Sequence, residues 1–339
     1  MLLAGDIGGT KVILAIFATA ADREPLVTHR YPSEKYPTLE DIVQEFLTTH
    51  AAQYRDQVEY ASFGVAGPVI NGQADLTNLG WHLDQATIAQ TCNLPAVYLL
   101  NDLAAVATAV PGLRSDEILT LQAGTPLPTG PVAVIAPGTG LGEAFLVWDG
   151  YQYRPYPTEG GHSGFAPETD LEVALYRFMR DRYPRVSIER VCSGQAIPDL
   201  YDFIKSTDLY PEPDWLHQQI ADADDPAPII SQTALEEKAA ICQATMELFT
   251  AILASEAGNM VLSLNALGGV YIGGGIPPRI HPLLQQPSFL QAFYRKGRFS
   301  QLMKRIPVHV ILDPQAALHG AARFGWQAQA ANLTQPTPK

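Results

Sequence analysis

Residues 2–17 read LLAGDIGGTKVILAIF. Two apolar runs flank the pair Gly8-Gly9, with Asp6 before it and Thr10 behind it. A P-loop requires Gly-x-x-x-x-Gly-Lys-Ser/Thr, and here Thr10 stands where its second glycine belongs. A dinucleotide fingerprint leads from its glycines into a helix. This turn leads instead into KVILAIF, a β-rich run. The stretch is therefore expected to be a hairpin with a turn bare of side chains. Glycines at a tight turn allow positive φ and leave N–H groups uncovered, so a phosphate oxygen can approach. Thr10 adds a hydroxyl. Asp6 repels a bare phosphate but suits a hydrated Mg²⁺ that bridges phosphates. A plain hairpin, with glycine for geometry alone, is the competing reading.

The same layout recurs one domain length away. PVAVIAPGTGLGEAFLVWDG (131–150) is again strand, glycine turn and strand, with Thr139 supplying the hydroxyl between Gly138 and Gly140. This weak internal repeat predicts two similar lobes, each opening with a hairpin. GGVYIGGGI (268–276) is a third strand with a bare end, where an adenine or ribose can lie against Gly274 and Gly275. Strand-like runs alternate with helical patterns throughout, the signature of an α/β protein. LEDIVQEFLTTHAAQY reads as one amphipathic helix with Leu39, Ile42, Val43, Phe46 and Leu47 on its apolar face. Ser206 to Ser231, rich in Pro and Asp, reads as a long surface loop. Thr233-Ala-Leu-Glu236 reads as a capping box opening a long helix that runs to about Asn265.

Composition narrows the partners. The 339 residues are 47% hydrophobic and 17% charged, enough for real cores, and the net charge of −13 argues against nucleic acid or an anionic membrane surface. Cys92, Cys192 and Cys242 lack the spacing of a disulfide framework or zinc site, which fits a reduced, cytoplasmic compartment. Asp6 and Lys11 interrupt the N-terminal apolar stretch, so no signal peptide is expected, and Val12 to Ala21 is too short to span a bilayer.

Taken in order, GDIGGT, PGTGLG and GGGI resemble the two phosphate loops and the adenosine loop of the actin–hexokinase–Hsp70 ATPases. LTNLGW (76–81), LLND (99–102), EGGH (159–162), FAP (165–167), ERVCSG (189–194) and DPQAALHGAA (313–322) narrow the resemblance to bacterial glucokinases of the hexokinase family. It covers residues 3 to 326. It implies two lobes of ribonuclease H-like mixed sheet with flanking helices and an active-site cleft between them, closing on substrate to exclude water. The lobes would be a small domain of 1–110 plus 314–330 and a large domain of 111–313, with a flexible tail at 331–339.

Phosphoryl transfer to a sugar hydroxyl needs a carboxylate that orients the hydroxyl and takes its proton. Asp102 stands at the carboxyl end of a strand, where open α/β sheets bind ligands, although an Asp here also suits a helix N-cap. The resemblance makes it the catalytic base. It also makes Glu159, His162 and Glu189 ligands of the sugar hydroxyls, with Asn101 beside the base and Asn78 in contact with the sugar. Gly5, Asp6, Gly8, Gly9 and Thr10, with Gly138, Thr139, Gly140, Gly274 and Gly275, would hold ATP, and Asp6 the Mg²⁺ through water. Glu168 reads as a solvated loop charge, and Cys192 as a small buried apolar residue.

The activity implied is ATP-dependent phosphorylation of glucose at its 6-hydroxyl, by a homodimer. A kinase for mannose, fructose or an amino sugar is the alternative within enzymes. A non-catalytic actin-like ATP-binding module would not need the Asn101–Asp102, Glu159–His162 and Glu189 set. A sugar-responsive repressor needs a helix-turn-helix ahead of the first strand, and with GDIGGT at residue 5 none is expected.

Overall fold

A computed structural model describes residues 1–334. The chain divides into two compact units: Met1–Arg114 with Asp149–Pro157 and the C-terminal segment from Asp313, and Ser115–Trp148 with Thr158–Leu312. The first sheet is built from β1 (Leu2–Ile7), β2 (Lys11–Phe17), β3 (Val27–Pro32), β4 (Tyr60–Val65), and, after the separate hairpin β5 (Gln73–Leu76) and β6 (Trp81–Asp84), β7 (Val97–Asn101). Its order is β3-β2-β1-β4-β7. The first three strands form antiparallel hairpins, and β4 and β7 lie parallel to β1.

Period-two alternation places β1's side chains on two cores. Leu3 and Ile7 join the cluster with Ile42, Val43 and Phe46, whereas Leu2 and Ala4 pack with Leu318 and Ala322 of the final helix, Ala316–Thr334. Each fully buried Leu or Ile stabilises by about 1.5–3 kcal/mol. Gly320 lets that final helix press on the backbone of Ala105, in the helix Asp102–Ala109, where any larger residue would overlap. The final helix runs past residue 330, and residues 335–339 of the expected tail lie outside the described residues.

The second sheet repeats the plan. Its strands are β8 (Ile118–Gln122), β9 (Val132–Pro137), β10 (Leu141–Trp148), β11 (Tyr153–Thr158), β12 (Gly269–Ile272) and β13 (Val308–Ile311), in the order β11-β10-β9-β12-β13-β8. The β9–β10 hairpin corresponds to β1–β2, and β12 and β13 stand where β4 and β7 stand in the first sheet. The repeat legible in two glycine turns is thus a repeat of whole sheet topology. The helix Ala240–Leu264 is buried over most of its length, from Ile241 and Cys242 to Met260 and Val261, with Gln243 and Glu247 exposed near its start. No described helix is long and apolar enough to cross a membrane.

Three expectations are corrected. Residues 206–231 hold the helix Asp214–Ala221 and the first residues of Ala227–Leu235; Pro213 and Pro226 sit at their N-caps, so these prolines start helices rather than mark a loop. Thr233 lies buried inside Ala227–Leu235 and caps nothing; the long helix begins at Ala240 without a side-chain cap and stops at Asn265, whose φ is 50°. The amphipathic stretch from Leu39 is α-helical only to Glu45. It then widens to a turn in which the Ala51 N–H reaches Phe46 O at 2.8 Å.

Candidate active site

The first unit's candidate residues begin at the β1–β2 turn. The Gly8 N–H donates to Lys11 O at 2.9 Å and closes the hairpin, leaving Gly9 and Thr10 exposed. Neither Gly8 nor Gly9 has positive φ, and the same holds for Gly138 and Gly140. Left-handed geometry therefore does not explain these glycines. No atom stands within 4 Å of where a Gly9 side chain would project. Ser33, fully buried, braces the turn from below: its hydroxyl donates to Gly8 O at 2.8 Å and its N–H to Thr10 O at 3.1 Å. Nothing in the sequence marks Ser33, because it comes from the end of β3. Gly5 lies inside β1 and does not line the turn; a methyl there would meet Phe63, Leu14 and Ile7 at 2.6–3.0 Å.

Asp6 and Asp102 meet across β4. Asp6 pairs in register with Gly64, and a methyl at Gly64 would stand 3.0 Å from Ala105 Cβ and 3.9 Å from Asp102 Cα. Burial raises the Asp6 carboxyl above its ordinary range, with Lys11 opposing. Burial likewise pushes Asp102 up to about 6; the Leu103 N–H, donating to its Oδ1 at 2.8 Å, opposes this, and the Asp6 charge adds to it. Asp102 is ionised at neutral pH yet close enough to neutrality to take a proton. The helix cap is Asn101, not Asp102: Asn101 Oδ1 accepts from the Leu103 and Ala104 N–H groups at 3.0 Å each. Its Nδ2 donates to Gly67 O at 3.1 Å. Asn101 and Asp102 thus share the Leu103 N–H, and the Ala104 N–H goes to Asn101 alone. Asn78, exposed in the β5–β6 turn, shares with Gly9 and Gly67 a cavity of about 530 Å³ that His82 and Asp75 also line.

The second unit gathers its residues around the β9–β10 turn. The Gly138 N–H donates to Gly140 O at 2.8 Å, and the Gly194 N–H to Gly138 O at 2.7 Å. Glu189 Oε2 accepts the Leu141 N–H at 2.9 Å, and a methyl at Gly140 would overlap that carboxylate. The Glu189 N–H donates in turn to Gly161 O at 2.9 Å, tying its loop to the Gly160–His162 turn. His162 Nδ1 is 3.8 Å from Glu189 Oε1, and its Nε2 is 3.9 Å from Glu159 Oε2. Glu159, His162 and Glu189 thus converge, two carboxylates flanking an imidazole that can donate and accept. Gly274, at φ 86°, sits so close to Pro137 O that no side chain fits, which sets Gly274 and exposed Gly275 beside the β9–β10 turn. Thr139 lies within that turn.

Two further side chains depart from the sequence reading or were missed by it. Glu168 is not a solvated charge: it pairs with the buried Lys296 ammonium, which also donates to Ser255 Oγ at 3.0 Å. Glu143, on β10, is buried with its Oε1 lacking a hydrogen-bond partner, and its other oxygen stands where a Gly160 side chain would go. Burial, aided by the Glu256 charge, pushes its carboxyl up to about 7. Cys192 is wholly buried, with its thiol pushed well up, and behaves as the small apolar residue expected. Among the described residues no cluster of His, Cys, Asp and Glu has the makings of a closed metal site.

Comparison with known proteins gives this arrangement its family. The glucokinase family profile matches residues 3–328. The glucokinase of Nostoc sp. is 41% identical over 336 residues, spanning 95% of this chain and 98% of its own. That of Synechocystis sp. is 39% identical over 344 residues, spanning 94% and 96%. The solved glucokinase of an Antarctic psychrotroph superposes with a TM-score of 0.83 at 33% identity, over 96% of this chain and 98% of that one. With the profile spanning almost the whole chain and these relatives aligned from end to end, the chain belongs to the glucokinase family.

Proposed function

We propose that this protein transfers the γ-phosphoryl group of ATP to the 6-hydroxyl of glucose, giving glucose 6-phosphate and ADP. The observation that carries the residue assignment is Asp102: a half-buried carboxylate at the carboxyl end of β7, raised to about 6, next to Asn101, which caps the helix. In this reading Asp102 Oδ accepts the proton of the 6-hydroxyl as its oxygen attacks the γ-phosphorus in line. The bond from that phosphorus to the bridging oxygen breaks, and ADP leaves with the electron pair. Glu159 and Glu189 accept hydrogen bonds from the other sugar hydroxyls, which charge makes stronger than neutral ones, and His162 donates or accepts beside them. Asn101 has only its second amide hydrogen left for the sugar, and Asn78 approaches from its turn.

The bare turns at Gly8-Gly9-Thr10 and Gly138-Thr139-Gly140 offer N–H and hydroxyl groups to the phosphates, and Gly274-Gly275 the surface for adenosine. Asp6 fits a hydrated Mg²⁺: its carboxylate is half-buried, and its charge raises the pKa of Asp102, so a divalent cation at Asp6 relieves both. When bound, the metal supplies charge neutralisation at the phosphates. We extend the reading to a homodimer in the cytoplasm, which light scattering tests for the dimer. A coupled assay across glucose, mannose, fructose and glucosamine, with ATP, ADP or polyphosphate as donor, tests the activity. Glucose with ATP should give the highest kcat/KM, and a preference for any other pair refutes the assignment.

A further inference from the structure

We propose that a pocket in the first unit, built by Arg23, Gly112, His319, Arg323 and Trp326, is a second anion site whose ligand is a phosphate dianion, free or on a small metabolite. The pocket holds about 200 Å³, with Phe17, Ala109, Ala322 and Trp326 as apolar walls. Its residues come from the loop after β2, the end of the helix Asp102–Ala109 and the final helix, and none belongs to the machinery described above.

The argument turns on Arg323. Its Nε is buried and has no hydrogen-bond partner among the described residues. Burial pulls its pKa down with no acidic group near enough to oppose this. A half-buried guanidinium without a counter-charge is unfavourable, and removing its natural partner from such a charge typically destabilises. The neighbouring acid is already committed. Asp313 Oδ2 takes Arg23 Nη2 at 3.2 Å and His319 Nδ1 at 2.7 Å, and its Oδ1 accepts the Gln315 N–H at 2.9 Å. Asp22, at the exposed rim, is folded onto Thr19, whose N–H and hydroxyl both donate to it at 2.8 Å. Asp22, which lines the pocket, and Asp313, behind Arg23 and His319, are therefore both committed elsewhere, and neither pairs with Arg323.

Gly112 shows how the arginines are held. Its φ is not left-handed, so its small size is explained by what approaches it. A methyl there would stand 3.0 Å from Arg323 Nη1 and 3.9 Å from Arg23 Nη1, while Arg23 Nη1 donates to Gly112 O at 2.7 Å. Two guanidiniums converge on one point of bare backbone. Like charges placed so are stable when an anion lies between them, and the planar fork of Arg matches phosphate oxygens two at a time.

The test measures thermal stabilisation of the full chain by inorganic phosphate and by glycerol 3-phosphate, at constant ionic strength set with chloride. Wild-type protein and Arg323→Met are compared, with Arg323→Lys as the variant that keeps the charge. Phosphate at the ATP turns contributes equally to all three. We expect a saturable shift that weakens at least tenfold in apparent affinity in Arg323→Met and several-fold in Arg323→Lys, with glucose KM and kcat without phosphate unchanged. A tighter monoester assigns the site to a metabolite; equal affinity assigns it to free phosphate. Equal phosphate stabilisation in wild type and either variant overturns the proposal. So does the absence of tungstate between Arg23 and Arg323 in soaked crystals of the wild type, a measurement that needs no variant to fold.

Discussion

Replacing Glu143 by Gln should make the protein's stability less dependent on pH, because this carboxyl is nearly buried, lacks a partner for Oε1, and is pushed from 4.5 up to about 7. The sign follows from proton binding. Below pH 4.5 the group is protonated in folded and unfolded chains alike and contributes no pH dependence. Between 4.5 and about 7 the folded chain keeps a proton that the unfolded chain has lost, so stability falls as pH rises. Above 7 the full penalty of a buried, partnerless carboxylate is present. Each tenfold in proton affinity is about 1.4 kcal/mol, so wild type loses about 3 kcal/mol through this group. Glutamine has the same shape and cannot ionise. Its buried amide brings a fixed cost of about 1–3 kcal/mol for unmet hydrogen bonds, but that cost does not vary with pH. The readout is therefore the difference between variant and wild type at pH 5 and at pH 8.5. Between pH 5 and 8.5 about 2.5 kcal/mol of this is lost, and for a unit of 150–250 residues about 1 kcal/mol moves Tm by about 2–4 °C, so the variant should gain about 5–10 °C on wild type between the two pH values. Scanning calorimetry or urea unfolding at both pH values measures this. A difference that stays constant with pH refutes the claim that Glu143 is buried as a neutral acid.

Other outcomes follow from the site. Asp102→Asn should lower kcat by about 10²–10⁴-fold with ATP affinity nearly intact, and wild-type turnover should fall as pH drops through about 6, where the base gains its proton. Steady-state kinetics decide it, and an Asn variant within a few-fold of wild type removes Asp102 as the base. Gly140→Ala should raise glucose KM at least tenfold, because its methyl overlaps the Glu189 carboxylate held by the Leu141 N–H; unchanged glucose KM would separate Glu189 from the sugar. Ser33→Ala removes the hydroxyl bond to Gly8 O, worth about 1 kcal/mol, and should raise ATP KM several-fold while sparing glucose KM.

These effects divide along what a sequence can and cannot carry. LLAGDIGGTKVILAIF announces its hairpin because every cue is local: two apolar runs, a glycine pair, no helical period. The second hairpin is legible for the same reason, and with it the repeated sheet. What the glycines are for is less legible. Positive φ is the reason sequence reasoning supplies, yet Gly140 is small because Glu189 Oε2, 49 positions further on, occupies the space of its side chain. Gly64 is small so that Asp102's helix can approach β4. Glu168 reads as a loop charge until Lys296, 128 positions away, is seen buried beside it. Asn101 and Asp102 are adjacent and both suit a helix cap, so no pattern decides between them; the two N–H groups that reach Asn101 do. In each case the ambiguity is resolved by a contact that depends on the strands first being laid side by side. The site's residue types are thus written locally, whereas their division of labour is written in the register. This also explains why the glycine positions are the sharper test of the site. A carboxylate can be replaced and lose chemistry or binding together, but Gly140→Ala leaves every reacting group in the chain and displaces the Glu189 carboxylate from where it stands. If sugar affinity falls under that single methyl, the register itself is holding the sugar ligand in place.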